Sequence, residues 1–198
     1  MEESYGAIIL AGGRSDRMNY QKIYLEVSGR SFLQKIAEEY NSFGVKNICV
    51  VINKEYCEGE WKGIFEAAKP YVSVVEKTGG EQGRFHSLRL GIKNVVNNDF
   101  VFVQNADNPF VNKQIIHRLQ TNRCSFGYTQ LFHQGQKGHP ILISKKIIQR
   151  INAIQGNEHN LRDILKEFPK TDVEVNDKRI LVNINTKKDY EEYIFARS

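Results

Sequence analysis

Short runs of apolar residues alternate along the chain with longer segments in which apolar residues recur every three or four positions. The short runs predict strands, and a nearly continuous apolar run is typical of a strand buried on both faces of a parallel sheet. The longer segments predict helices with one buried face. The predicted strands are Tyr5–Leu10, Asn47–Ile52, Val72–Val75, Phe100–Val103, Ser125–Phe132, Pro140–Ile143, Val173–Val175 and Arg179–Ile184.

The helix-like segments lie between these strands, and the first has signals at both ends. Ser31 is placed to cap a helix from Phe32 to about Phe43, and Gly44 is placed to end it. The other predicted helices are Glu58–Ala68, Phe85–Val96, Asn112–Leu119, Lys145–Ile151 and Asn160–Phe168, with Thr186 as the cap of a last one.

This order of elements predicts the fold class. Alternating strands and helices in the first half indicate an α/β protein with a Rossmann-like, three-layer α/β/α arrangement and a mostly parallel sheet. Two strand-like runs flank a glycine-rich turn, Gln134–Gly138, which adds some antiparallel pairing. A chain of 198 residues without repeats or low-complexity linkers is expected to form one domain over residues 1–198.

Composition narrows the class of protein. Hydrophobic residues make up 40% and charged residues 26%, as in ordinary globular proteins. No apolar run approaches the roughly 20 residues of a membrane span, and no secretory signal is recognised. The three cysteines, Cys49, Cys57 and Cys124, show no metal-binding spacing, and Cys49 lies in a predicted core strand. We therefore expect a cytoplasmic protein without membrane partners.

The net charge of +5 suits an anionic ligand. The basic residues are dispersed, without the run of five or six that a nucleic-acid-binding arm requires. We therefore expect a small anionic partner and no nucleic acid.

The strand Tyr5–Leu10 runs directly into a double glycine, Gly12-Gly13. Such a turn lets backbone N–H groups approach a ligand, and positive charge follows it within ten residues. The three cations are Arg14, Arg17 and Lys22. The spacing is neither the GxGxxG fingerprint nor a P-loop, but a strand, a glycine turn and clustered cations together predict a polyphosphate pocket. The alternative is a plain glycine turn with solvated cations.

Two further strand ends carry oxygen ligands. Asp107 follows Phe100–Val103 at a position common for anchoring a metal, and Mg²⁺ takes one or two protein carboxylates beside phosphate oxygens and water. An Asx turn that ends the strand explains Asp107 equally well. Strand alternation puts Asn183 and Asn185 on one face, where they complete a metal or phosphate shell, although strand termination before the cap at Thr186 is the simpler interpretation.

A second glycine loop precedes the helix that contains Ser87. There the backbone or the Ser87 hydroxyl is placed to contact the edge of a nucleobase. An ordinary helix start is the competing interpretation.

Four of these segments together resemble the MobA-like nucleotidyltransferases. The family opens with Leu-Ala-Gly-Gly-x-Ser-x-Arg-Met-Gly-x-x-Lys, which matches Leu10–Lys22 except that Asn19 replaces the glycine. The family's strand-end Asp-x-Pro matches Asp107–Pro109, its Gly-His-Pro strand matches Gly138–Pro140, and its Asn-Ile-Asn-Thr ending matches the segment that starts at Asn183. The motifs occur in the family's order and cover nearly the whole chain.

The resemblance implies a nucleotide-diphospho-sugar transferase type of fold and transfer of an NMP from an NTP, with CTP or GTP preferred. The implied acceptor is a phosphorylated small molecule such as molybdopterin, the implied cofactor is Mg²⁺, and the implied assembly is a monomer or small homo-oligomer. Lys22, Arg17 and Asp107 are the implied catalytic residues, and Asp107 with Asn185 the implied metal ligands. The implied substrate contacts are Leu10, Ala11, Gly12, Gly13, Arg14, Ser15, Ser87 and Asn105.

Three alternatives remain at this point. The first is a cytidylyl- or nucleotidylyltransferase that acts on an isoprenoid or sugar phosphate. The second is a nucleotide-binding module without turnover. The third is a sugar-nucleotide-dependent glycosyltransferase, which is expected to carry an Asp-x-Asp motif where this chain has Asn105-Ala106-Asp107.

Overall fold

A seven-stranded mixed sheet forms the centre of the protein in a computed structural model that describes residues 3–12, 25–58, 62–77, 83–156 and 158–194. The strands in the described ranges are β1 Tyr5–Leu10, β2 Glu26–Val27, β3 Arg30–Ser31, β4 Asn47–Asn53, β5 Ser73–Lys77, β6 Phe100–Asn105, β7 Tyr128–His133, β8 Gln136–Ser144 and β9 Lys170–Glu174. The helices there are α1 Phe32–Phe43, α2 Lys62–Ala68, α3 Gly83–Val95, α4 Lys113–Thr121, α5 Lys145–Ala153, α6 Leu161–Leu165 and α7 Lys187–Ile194.

The strand order is β5-β4-β1-β6-β8-β7-β9, with β2 and β3 forming a separate hairpin. Strands β5, β4, β1 and β6 are parallel, β8 pairs antiparallel with both β6 and β7, and β9 is parallel to β7. The chain runs from β1 to β4 and β5 on one side, then returns to place β6 on the other side of β1. The switch point, where ligands of open α/β sheets bind, therefore lies between the carboxyl ends of β1 and β6.

Helices cover both faces of the sheet. One face is covered by α1, α2 and α4, whose buried residues form a core with Ala7 and Ile9 of β1. The other face is covered by α3, α5 and α6, which form a core with Ile8. Because successive strand residues point to opposite faces, β1 contributes to both cores. This confirms the predicted α/β class, with its three-layer arrangement and mostly parallel sheet.

Local signals in the sequence placed several elements correctly. Ser31 caps α1 by accepting a hydrogen bond from the Gln34 N–H at 3.1 Å, and Gly44 ends the helix at φ +101°. The Thr186 cap of α7 is also confirmed, and Cys49 is buried in β4. Across the described helices, none is long and apolar enough to cross a membrane.

The predicted strand Arg179–Ile184 is wrong, because Lys178–Leu181 forms a 3-10 turn and residues 182–185 lie in neither helix nor strand. The Asp177 side chain starts the turn by accepting a hydrogen bond from the Arg179 N–H at 3.0 Å. The alternation argument for Asn183 and Asn185 therefore loses its basis.

The region between β7 and β8 also differs from expectation. Only Gln134 and Gly135 form the turn, with φ values of +49° and +77°, so that the glycine-rich segment continues into β8. Two residues of positive φ suit the tight hairpin turn that joins twisted antiparallel strands. Strand β7 begins at Tyr128, three residues later than predicted. The two-residue strands β2 and β3 were not predicted, since they are too short to show alternation.

The backbone at Gly127 lies very close to the backbone at Pro169, next to the start of β7 and β9. A Cβ added at Gly127 would lie 1.8 Å from the carbonyl oxygen of Pro169, where β7 and β9 begin their parallel pairing. Gly127→Ala is expected to lower the free energy of unfolding by about 3 kcal/mol, the upper end of ordinary overpacking, because backbone must move. Urea unfolding followed by circular dichroism measures the loss.

The matched control is Gly63→Ala, because a Cβ at Gly63 of α2 has nothing within 4 Å. That variant is expected to keep its stability or gain up to about 1 kcal/mol from helix propensity. Equal stability of both variants would contradict the close approach at Gly127.

Candidate active site

The carboxyl ends of β1 and β6 meet edge to edge. Leu10, the last residue of β1, is paired with Asn105, the last residue of β6. Beyond the strands, the Ala106 N–H donates to the Leu10 carbonyl at 3.2 Å, and the Ala11 N–H donates to the Val51 carbonyl at 2.9 Å. The start of the glycine segment and the Asp107 turn are thus fixed side by side at the switch point.

The structure describes only the beginning of the glycine segment. Leu10 and Gly12 are half-buried, and Ala11 is buried. The other residues predicted for the triphosphate and catalysis lie outside the described residues: Gly13, Arg14, Ser15, Arg17 and Lys22. Their roles stay predictions.

The Asp107 turn contacts the late Asn-Ile-Asn segment through the backbone. The Ile184 N–H donates to the Asp107 carbonyl oxygen at 2.8 Å, so the two predicted metal-binding segments lie next to each other although 77 positions separate Asp107 from Ile184. Asp107 itself is half-buried, whereas Asn183 is exposed and Asn185 half-buried. The Asp107 turn and the Asn185 segment are therefore adjacent, although residues 182–185 form no strand.

Asn108 holds this neighbourhood together. Its side chain is almost fully buried, and its Nδ2 donates to the carbonyls of Val182 at 2.6 Å, Arg179 at 3.1 Å and Ile180 at 3.3 Å. One amide thus binds backbone oxygens that a neighbouring strand would otherwise pair. The carbonyl of Asn108 in turn accepts from the buried Gln104 side chain at 2.8 Å.

The start of α7 fixes Asn185 from the other side. An Asp189 carboxylate oxygen accepts the N–H groups of Asn185 and Thr186, each at 2.8 Å, while the Thr186 hydroxyl accepts the Asp189 N–H at 3.1 Å. This reciprocal pattern is a capping box, with Asp in the place usually taken by Glu or Gln. It stabilises the helix start and sets the backbone direction at Asn185.

Two residues that were not predicted as site residues also lie at this edge of the sheet. Arg84, near the start of α3, donates a hydrogen bond to the side-chain oxygen of Asn105. Loss of solvent around its guanidinium lowers the pKa of Arg84, and the nearby Asp107 carboxylate acts in the opposite direction. Burial, and to a lesser extent Arg84, lowers the pKa of His139 to about 4, so this imidazole is neutral near pH 7. In the sequence, the glycine before Arg84 and the Gly-His-Pro motif that contains His139 were the signals that could have marked these two residues.

Asn105 and Ser87 were both predicted to contact substrate. Asn105 is buried, and Arg84 binds its amide oxygen. Ser87 is buried in the second turn of α3. The helix that carries Ser87 packs against β1 and β4.

The two predicted metal ligands are of the type that binds a hard cation. Asp107 supplies a carboxylate and Asn185 an amide, both of which are oxygen ligands of the kind Mg²⁺ takes. Within the described ranges, no group of three or more His, Cys, Asp or Glu side chains is placed to hold a metal.

A separate cavity of about 690 Å³ lies beside α4 and the end of β9. Its lining includes Phe43, His117, Arg118 and Val175. The residues predicted for the active site are not among those described as lining it, so the cavity and the switch point are distinct places in the fold.

Adjacent strand ends at the switch point of a mixed α/β/α sheet are where such proteins bind their ligands. The family model for the MobA-like NTP transferase domain matches residues 7–173. The chain therefore belongs to this family, and it is a nucleotidyltransferase. Nucleotidyltransferases of this family generally use a divalent metal.

Individual relatives agree with this assignment. A Clostridium perfringens protein named "Probable molybdenum cofactor guanylyltransferase" is 26% identical over 205 residues, covering 95% of each chain. The 2-C-methyl-D-erythritol 4-phosphate cytidylyltransferase of Thermosipho africanus is 30% identical over 128 residues, covering 62% of this chain and 55% of that protein. A nucleotidyl transferase structure from Methanothermobacter superposes with a TM-score of 0.79 at 19% identity, covering 98% of each chain, which supports the fold.

The role of Asn108 can be tested by removing its donors. Asn108→Ala leaves three backbone carbonyls without that donor, which is expected to cost about 2 kcal/mol of unfolding free energy. Asn108→Asp is expected to cost at least as much, since it replaces the donor by an acceptor facing other acceptors. Urea unfolding of both variants measures the effect.

Asn94→Ala is the control, because its side chain donates to a single carbonyl, that of Leu90, from an exposed position on α3. It is expected to change stability by less than about 0.5 kcal/mol. Wild-type stability of Asn108→Ala would show that this side chain does not hold the late segment.

Proposed function

We propose that this chain is a magnesium-dependent nucleotidyltransferase that moves an NMP from an NTP to a phosphorylated small-molecule acceptor and releases pyrophosphate. The observation that carries the proposal is the convergence at the switch point. The end of β1, the Asp107 turn and the Asn185 segment are joined there by the Ala106–Leu10 and Ile184–Asp107 backbone hydrogen bonds. We further propose that residues 1–198 act as one nucleotidyltransferase domain.

In the proposed reaction, a phosphate oxygen of the acceptor attacks the α-phosphorus of the NTP. The new oxygen–phosphorus bond forms as the bond from the α-phosphorus to the β-bridging oxygen breaks, and pyrophosphate takes the electron pair. A phosphate nucleophile is largely ionised near neutral pH, so no general base is needed. The rate then depends on positioning and on neutralising charge.

Each site residue has a proposed task. The backbone of Leu10, Ala11, Gly12 and Gly13, together with Arg14, Ser15 and Arg17, binds the nucleotide and its triphosphate. Lys22 offsets charge at the α-phosphate. Asp107 and Asn185 hold Mg²⁺, which when bound neutralises phosphate charge. Ser87 and Asn105 contact the nucleoside side of the substrate.

GTP with molybdopterin as acceptor is the preferred substrate pair, because the guanylyltransferase relative aligns over 95% of both chains. The second candidate is CTP with an isoprenoid or sugar phosphate. It is favoured by the higher identity, 30%, to the cytidylyltransferase over the shorter aligned region. Pyrophosphate release from each of the four NTPs, with each acceptor class added in turn, distinguishes the two. Nucleotide binding without pyrophosphate release under every condition would favour a module without turnover.

Asp107→Ala is expected to lower kcat about a hundredfold or more, because it removes the carboxylate proposed to anchor the charge-neutralising metal. It is also expected to remove the Mg²⁺-dependent part of the thermal stabilisation by NTP. That stabilisation should reach about 2.7 kcal/mol in wild type at 100 times Kd. The measurements are pyrophosphate release and thermal melts with Mg²⁺ or with EDTA.

Asp172→Ala serves as the control, since Asp172 is an exposed carboxylate of β9 paired with Lys170. It is expected to match wild type in activity and in its response to Mg²⁺. Near-wild-type turnover by Asp107→Ala would overturn the assignment of the metal site.

A further inference from the structure

Arg84 is the second residue of α3, and its positive charge interacts with the Asp107 carboxylate of the proposed metal site. Helix α3 is fixed by Phe85 and Leu88, which are buried in the core beneath it. Arg84 itself remains exposed as a residue, while its guanidinium reaches the side-chain oxygen of Asn105, two positions before Asp107. The partially positive amino-terminal end of α3 adds to the same potential.

The charges around Asp107 do not favour a free divalent ion. The Asp107 carboxylate and the Arg84 guanidinium interact electrostatically, and their charges sum to zero. His139, whose pKa is lowered to about 4 by burial and by Arg84, is neutral near pH 7 and leaves this balance unchanged. Among the described residues, no three His, Cys, Asp or Glu side chains form a group that could hold a metal. The nearby Asp189 carboxylate already accepts the N–H groups of Asn185 and Thr186.

A triphosphate changes this balance, because it brings several negative charges and additional oxygen ligands. The same guanidinium that repels a free divalent cation attracts the phosphates that accompany a bound one. We propose that Arg84 keeps a divalent metal out of the Asp107 site until a nucleoside triphosphate carries it in. This role rests on the proposed function, which puts the metal at Asp107, and it makes Arg84 a positioning residue for metal and nucleotide.

A simpler role for Arg84 is to orient the Asn105 side chain through their hydrogen bond. The two roles separate by substitution. Arg84→Gln keeps an N–H donor for Asn105 and removes the charge, whereas Arg84→Lys keeps the charge and replaces the planar guanidinium. If Arg84 excludes the metal, Arg84→Lys keeps that effect and Arg84→Gln loses it. If Arg84 only orients Asn105, Arg84→Gln behaves as wild type.

The test measures Mn²⁺ binding by electron paramagnetic resonance in the full chain, without nucleotide and with a non-hydrolysable NTP analogue. Without nucleotide, Arg84→Gln is expected to bind Mn²⁺ about tenfold more tightly than wild type. That factor corresponds to removing the repulsion between a unit positive charge and a divalent ion about 6 Å away in a water-like dielectric. Arg84→Lys is expected to bind Mn²⁺ as weakly as wild type. Arg84→Met is a second charge-free variant if Arg84→Gln fails to fold.

Arg89→Gln is the matched control, because it removes the same charge from the same helix one and a half turns further on. It is expected to leave nucleotide-free Mn²⁺ binding unchanged. Adding Asp107→Ala to Arg84→Gln is expected to abolish the gained affinity.

Two failures are distinguishable. If Arg84→Gln and Arg84→Met bind Mn²⁺ no better than wild type, while Asp107→Ala still loses metal-dependent nucleotide binding, the role of Arg84 is overturned and the proposed function stands. If Asp107→Ala binds Mn²⁺ with the NTP analogue as wild type does, the metal site of the proposed function is itself overturned.

Discussion

The parallel pairing of β1 with β6 is the constraint on which the site depends. Leu10 and Asn105 end these strands opposite each other, and one further hydrogen bond, from Ala106 to Leu10, extends the pairing into the loops. Because β4 and β5 lie on the far side of β1, two loops leave the sheet at one place. The first carries the glycine segment that starts at Gly12, and the second carries Asp107. Both cores then hold these strands in place, since β1 contributes residues to each face.

A second constraint brings the end of the chain to the same place. Residues 179–184 do not add a strand to the sheet. Instead, the buried Asn108 amide binds three of their carbonyls, and the Asp107 carbonyl accepts the Ile184 N–H. Asp189 and Thr186 then cap α7 immediately after Asn185. Asn108 therefore fixes the segment that carries Asn185, next to the Asp107 carboxylate that we propose as the main metal ligand.

The sequence predicted those elements that a continuous apolar pattern or a capping residue within the element itself marks. The apolar runs gave β1, β4 and β6, the capping residues gave the ends of α1 and the start of α7, and alternation gave the layered sheet. It could not predict the path of residues 179–185, because their apolar pattern suits a strand and the partner that replaces the ladder, Asn108, is about 70 residues away. Arg84 and His139 were missed as site residues because α3, β6 and β8 bring them together only in the fold, although Gly83 and the Gly-His-Pro motif marked their segments. The hairpin β2–β3 was too short to leave a pattern.

The central claim is that metal and triphosphate meet at the switch point between β1 and β6. The most direct measurement is a crystal structure of the full chain with Mn²⁺ and a non-hydrolysable NTP analogue, in which anomalous scattering locates the metal. The account predicts one anomalous peak in direct contact with the Asp107 carboxylate and a phosphate oxygen, with the triphosphate against residues 10–13. Metal and nucleotide bound together away from Asp107, for example in the cavity beside α4, would contradict it.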